Sequence, residues 1–205
     1  MNDIWTAAFI TSVLAAAIPA GTAILYAALG ETFAERSGIL NLGVEGMMLM
    51  GALSGFAVTN WTGNAWAGLL GAIVAGSGMA LIHAILTITF QANQVVSGLA
   101  LTIFGPGLSA YLGRDLVGIP AKDRFSAIDI PYLSDLPRLG PILFQQNVLV
   151  YISFAFVPFC WWYFYRTRQG LNLRAIGERP EAADAMGINV SGLRYLYVII
   201  GGALA

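Results

Sequence analysis

The sequence predicts an all-α, polytopic transmembrane helical bundle, with five complete spans, the start of a sixth, and the N-terminus outside. Three observations predict it. The 205 residues are 58% hydrophobic and only 10% charged, whereas soluble domains carry roughly 25% charged residues. Asp, Glu, Lys and Arg are missing altogether from residues 4–30, 46–113 and 139–165. The middle stretch alone is 68 residues long, enough for three crossings of about 20 apolar residues joined by tight turns. A water-soluble globule needs charges every few positions to solvate its outer faces, and this pattern excludes one.

Taken in order, the first span is expected from about Ile4 to Ala28 and the second from about Leu42 to Asn60. The third follows from Ala65 to Phe90, the fourth from Gln94 to Leu112 and the fifth from Asn147 to Tyr165. A sixth opens near Gly192 and stops partway, so the chain reads as part of a longer protein, a single transmembrane domain over 1–205 truncated at its C-terminus. Met1-Asn2-Asp3 has no positive charge, and no small-residue cleavage site follows; the first stretch reads as a retained helix. In the third span Gly68, Ala72, Gly76, Ala80 and Ala84 form a four-residue ladder of small side chains, which predicts close packing against another helix.

Orientation follows from the basic residues. Arg166, Arg168, Arg174, Arg179 and Arg194 fall between spans five and six, which places that loop in the cytoplasm. Arg36 then lies on the same side. Arg114, Lys122, Arg124 and Arg138 fall in the loop after span four, predicted external, so the bias is six to four. The aromatic run Trp161-Trp162-Tyr163-Phe164-Tyr165 marks one membrane interface, and Trp61 and Trp66 the other.

Little supports catalysis. No His/Cys/Asp/Glu cluster has metal-ligand spacing, and the single histidine, His83, reads as a hydrogen-bonded helix residue. Cys160 has no partner for an internal disulfide. No Gly-x-x-x-x-Gly-Lys-Ser/Thr loop is present and the one lysine is Lys122, so the chain cannot bind ATP in the P-loop manner. Asn60-Trp61-Thr62 and Asn189-Val190-Ser191 match the glycosylation pattern, but so short a pattern recurs by chance. The net charge of −1 gives no footing for nucleic acid. No catalytic residue, metal or cofactor is expected.

Two charged interruptions carry the functional signal. Residues 30–46 hold several glycines among polar groups, which predicts irregular or broken helix, tolerated at membrane depth only where it is buried in protein or lines a cavity. Glu45 either faces a polar cavity there or sits at the interface near a helix N-terminus, and Arg36 has Glu31, Glu35 and Glu45 as available partners. Residues 170–188 predict a very short helix, with Pro180 in its first turn, Glu181 on the N-terminal dipole and Gly187 as C-cap. Two turns are not stable alone, so this cytoplasmic helix must be held by packing and its exposed face suits docking another protein. A plain amphipathic elbow on the membrane is the alternative.

Glu181-Ala-Ala183-x-x-x-Gly187, placed after Arg174-Ala-Ile-Gly177-Glu178, resembles the EAA-type loop of ABC-importer permeases of the ribose, branched-chain amino acid and nucleoside class. The segments from Glu35 to Met48 and from Ile130 to Phe144 are similar to bacterial nucleoside and simple-sugar permeases. The Ile-x-Leu-Pro continuation of some EAA loops is absent, which weakens the likeness to the maltose-type class. The resemblance implies a permease subunit of the bacterial plasma (inner) membrane that moves nucleosides or related simple sugars. Its implied partners are an ATP-binding subunit, a second permease subunit (homo- or heterodimer), an extracytoplasmic solute-binding protein under which residues 114–145 would lie, and the lipid bilayer. It also implies that Glu181, Ala182, Ala183 and Gly187 form the ATPase-coupling helix, framed by Arg174, Gly177, Glu178 and Arg179, and that Asn41 and Glu45 line or brace the substrate pathway. An ion-coupled transporter using Glu45, or a non-transporting scaffold, are the competing functional classes.

Overall fold

The computed structural model describes residues 7–134, 136 and 139–205. The first residues of span one, and Asp135, Pro137 and Arg138 of the loop after span four, lie outside the described residues. The helices are α1 (Ala7–Arg36), α2 (Val44–Thr62), α3 (Ala65–Ala84), α4 (Gln94–Gly113), α5 (Val148–Arg166), α6 (Arg168–Glu178), α7 (Pro180–Ala185) and α8 (Val190–Leu204). A π-helical turn, Ile85–Thr89, extends α3. Among the described residues α1, α3 with its π turn, α4 and α5 are long and apolar enough to cross a membrane. The all-α polytopic expectation is met by these; α2, rich in Gly, Ser and Thr, enters as a fifth span only under the proposal below. The described residues add a pair of three-residue antiparallel strands, β1 (Ala127–Asp129) and β2 (Gln145–Asn147), in register Ala127 to Asn147.

Two compact units can be told apart. In the smaller, made of the first part of α1 and residues 125–158, Pro19 lies inside α1. Proline has no N–H to give to the carbonyl four residues back, which leaves the Ala15 oxygen open. The buried side chain of Gln146 fills the gap, donating from Nε2 to Ala15 O at 3.2 Å and to Ile142 O at 2.8 Å.

The larger unit holds residues 26–124 and 159–205. Its core gathers Ala34 of α1, Ile39, Met47 of α2, Met79, Ala80 and Ala84 of α3, Leu101 of α4 and Val198 of α8. The small-residue ladder of α3 is at close helix contacts, but not with a single partner. A step of four residues turns a helix by about 400°, so such a ladder drifts about 40° per step around the axis. Gly68 and Ala72 accordingly meet Gly55 and Gly51 of α2, while Gly76 and Ala80 meet Gly202 of α8. Side-chain caps start the helices: Asn64 Oδ1 accepts from Trp66 N at 2.8 Å, Asn93 Oδ1 from Val95 N at 3.0 Å, Thr167 Oγ1 from Gly170 N at 2.9 Å, and Asn189 Oδ1 from Gly192 N at 2.9 Å. Asn60 is buried and accepts from Lys122 N at 2.9 Å. Both asparagines of the glycosylation patterns therefore have structural tasks.

Candidate functional site

The predicted irregularity at 30–46 is narrower than expected. Helix α1 continues to Arg36, well past the expected end near Ala28, and only residues 37–43 leave the helix. The stop is a Schellman motif: Gly38 takes φ +86°, its N–H bonds Glu35 O at 2.9 Å, and Ile39 N bonds Ala34 O at 3.2 Å. The left-handed turn then buries Ile39 beside Ala34 in the core.

Buried backbone left unpaired is costly, and side chains from four helices capture it. Gln94 of α4 accepts from Leu40 N at 2.8 Å and donates to Gly38 O at 3.4 Å. His83 of α3 bonds Leu40 O through Nε2 at 3.1 Å and Ser97 through Nδ1 at 3.0 Å. A carbonyl only accepts, so Nε2 carries a proton. Thr102 of α4 donates to Leu42 O at 2.7 Å. Glu31 of α1 accepts from Asn41 N at 2.9 Å through Oε1, while Oε2 is buried without a hydrogen-bond partner. Arg194 of α8 donates from Nε to Ser37 O at 3.1 Å.

Asn41 is buried, its Oδ1 accepting from Gly43 N at 3.0 Å and its Nδ2 directed at Met47 Sδ, 3.4 Å away. Glu45 stands apart from this cluster, exposed in the first turn of α2, where a negative charge favours the helix dipole. Arg36 pairs with none of the three glutamates that sequence made available. Its guanidinium donates to Tyr165 Oη at 3.2 Å and lies 6.0 Å from that ring's centre. The ring draws it because a tyrosine at the end of α5 offers both a hydroxyl and a π face.

The segment 170–188 contains more helix than the single short one expected. Helix α6 precedes it, with Leu173 and Ile176 fully buried. Arg174 stacks 5.3 Å from the Tyr165 ring centre. Arg179 divides the helices, its N–H bonding Ala175 O at 2.9 Å and its carbonyl accepting Ala183 N at 3.1 Å. In α7, Pro180 takes the first position and Ala183 is the buried residue. Glu178, Arg179, Glu181, Ala182, Asp184, Ala185, Met186 and Gly187 are exposed, Met186 at 82%. Gly187, at φ +80°, ends α7 by the same device as Gly38: Gly187 N bonds Asp184 O at 2.8 Å and Ile188 N bonds Ala183 O at 3.1 Å.

The two interruptions meet. Gly177 packs directly on the backbone of Arg36 and Gly38, so that a methyl group at Gly177 would overlap the Arg36 carbonyl oxygen. The Arg194 guanidinium closes the same corner, with Nη2 donating to Ile176 O at 3.3 Å. Of the residues predicted to couple to a partner (Arg174, Gly177, Glu178, Arg179, Glu181, Ala182, Ala183 and Gly187), Gly177 is the one that rests on the start of the segment that carries Asn41 and leads into α2. Sequence reasoning assigned no role to Gln94 or Arg194 beyond counting the arginine's charge. A signal existed for Arg194, the one charged residue after Asp184 and set in an apolar helix.

These features define a multi-pass membrane protein with a buried polar hub and a short helix exposed on its surface. The chain belongs to the branched-chain amino acid transport system / permease component family, matched over residues 7–205, and is a protein of the plasma membrane. It is 44% identical over 201 residues to the "Putative glucose ABC transporter permease protein TsgC13" of Haloferax volcanii, covering 96% of this chain and 61% of that protein. It is 36% identical to the guanosine ABC transporter permease protein NupQ of Bacillus subtilis, covering 94% and 65%. With the nucleoside ABC transporter permease protein NupC of Lactococcus lactis subsp. cremoris it shares 32%, covering 89% and 61%. The chain thus spans less than two thirds of the length of these relatives. No solved structure matches it.

Proposed function

We propose that this chain is the membrane-spanning part of an ATP-driven importer for nucleosides or related simple sugars, with ATP hydrolysis carried out by a separate subunit. The observation that carries the reading is α7, a helix too short to stand alone. It is exposed along Glu181, Ala182, Asp184 and Ala185, and it packs against α6, whose Gly177 rests on the backbone of Arg36 and Gly38. An ATP-binding subunit that grips α7 gains a rigid handle on the hub. Asn41 braces the pathway from within; Glu45, exposed at the start of α2, is the one of the pair able to meet a neighbour or the pathway. Five spans, an external N-terminus and a cytoplasmic 170–188 loop complete the arrangement. A second permease subunit and an extracytoplasmic solute-binding protein over residues 114–145 complete the assembly.

The substrate class rests on the names of the relatives, which specify glucose, guanosine and nucleosides. The test is uptake in cells that express the subunit with its ATPase and binding protein. Glu181→Arg reverses the charge on the exposed first turn of α7, and Gly187→Trp puts a large side chain on a left-handed residue. Both variants are expected in the membrane at normal levels with uptake abolished; normal uptake by either removes the coupling assignment.

A further inference from the structure

Helix ends leave carbonyl groups without partners and carry partial negative charge. Two such ends converge on one side chain here. Ser37 caps the C-terminus of α1, and Ile176 lies in the last turn of α6. Both carbonyls are taken by Arg194, through Nε at 3.1 Å and Nη2 at 3.3 Å. Arg194 belongs to α8, the helix that follows α7, so the guanidinium ties together the elements on both sides of α7 and the start of the 37–43 segment. Among the described residues it forms no ion pair; the one present is Arg114 with Asp115. Its half-buried charge faces the C-terminal ends of two helices. The planar fork of arginine can hold two carbonyls at once, which the point charge of lysine does less well.

We propose that Arg194 is the positioning residue that makes α6 and α7 move as one body with the 37–43 segment, so that displacement at α7 reaches Asn41 and the start of α2. This rests on the reading of the protein as an ATP-driven importer. Gly177 supplies close packing at the joint, and packing resists compression only. Arg194 also resists separation, because pulling α6 away from Ser37 breaks the two part-buried hydrogen bonds that the half-buried guanidinium makes.

The experiment uses the full subunit assembled with its ATPase and solute-binding protein in proteoliposomes, with guanosine and glucose tested in parallel as ligands of the binding protein. ATP hydrolysis is measured with and without loaded binding protein. R194Q is expected to keep basal hydrolysis and complex yield while the stimulation by loaded binding protein falls about tenfold, the order of a typical coupling energy. R194K, which keeps the charge and loses the fork, is expected to fall between Gln and wild type, and carries the test if R194Q does not assemble. An unchanged stimulation ratio in the variant that assembles overturns the proposal. So does a loss in which basal and stimulated rates fall in equal proportion, the signature of a bolt that only stabilises. If wild-type uptake itself needs no ATP, the importer reading fails first and is distinguished by that control.

Discussion

A single carboxamide, Gln94, does for the 37–43 segment what a neighbouring strand does for a sheet edge, giving an acceptor to Leu40 N and a donor to Gly38 O. Replacing it with Leu of similar size leaves both part-buried groups unpaired, at up to about 1–3 kcal/mol each. Gln94→Leu should therefore melt well below wild type in detergent, and Gln94→Glu, which keeps the acceptor alone, should lie between. Glu31 is separable by the same logic. Glu31→Gln retains the oxygen that accepts from Asn41 N, whereas Glu31→Ala strands that N–H at about 1–3 kcal/mol. Thermal unfolding of the two variants checks whether the acceptor or the charge matters, and near-wild-type stability of the alanine variant would count against the hub. None of these partnerships was legible in sequence. Gln94 opens an apolar helix 54 residues from Leu40, and no local pattern announces a contact made by tertiary packing. Asn41 stood out because a polar residue among glycines is visible in one dimension.

Elements were more readable than their partners. Pro180 and Gly187 mark the ends of α7 in sequence, and both stand where turn chemistry puts them. Helix α6 escaped notice because its apolar residues, Leu173 and Ile176, are few and sit among charges that read as a loop. Helix α1 runs past the expected end near Ala28 because Glu31, Glu35 and Arg36 are compatible with helix and nothing breaks the backbone before Gly38. The ladder on α3 predicted close packing correctly, yet the drift of a four-residue repeat divides it between α2 and α8. Two predictions belong at this scale. Gly177→Val should push α6 off the Arg36 carbonyl and abolish uptake while the protein stays in the membrane. Gly187→Ala should cost about 1–2 kcal/mol through its left-handed backbone, read as faster hydrogen exchange confined to α7.

At the scale of the whole molecule, uncharged stretches of this length leave little choice but a membrane, and the long apolar helices agree. Topology is a matter for labelling. Met186 and Val117, both more than 80% exposed, fall on opposite sides of the proposed arrangement, and the native Cys160 is buried. A Met186→Cys variant should react with an impermeant thiol reagent only from the cytoplasmic side, and Val117→Cys only from outside; reaction of both from one side inverts or breaks the scheme. Substrate identity was never legible in the chain, because no motif in the sequence reads a base or a sugar hydroxyl. The central claim concerns energy. Accumulation of labelled guanosine and glucose should be measured in proteoliposomes holding the full subunit, its ATPase and its binding protein. The account predicts accumulation of one of them that needs ATP and the binding protein and survives collapse of the proton gradient. Accumulation that persists without the ATPase and vanishes with the proton gradient would contradict it.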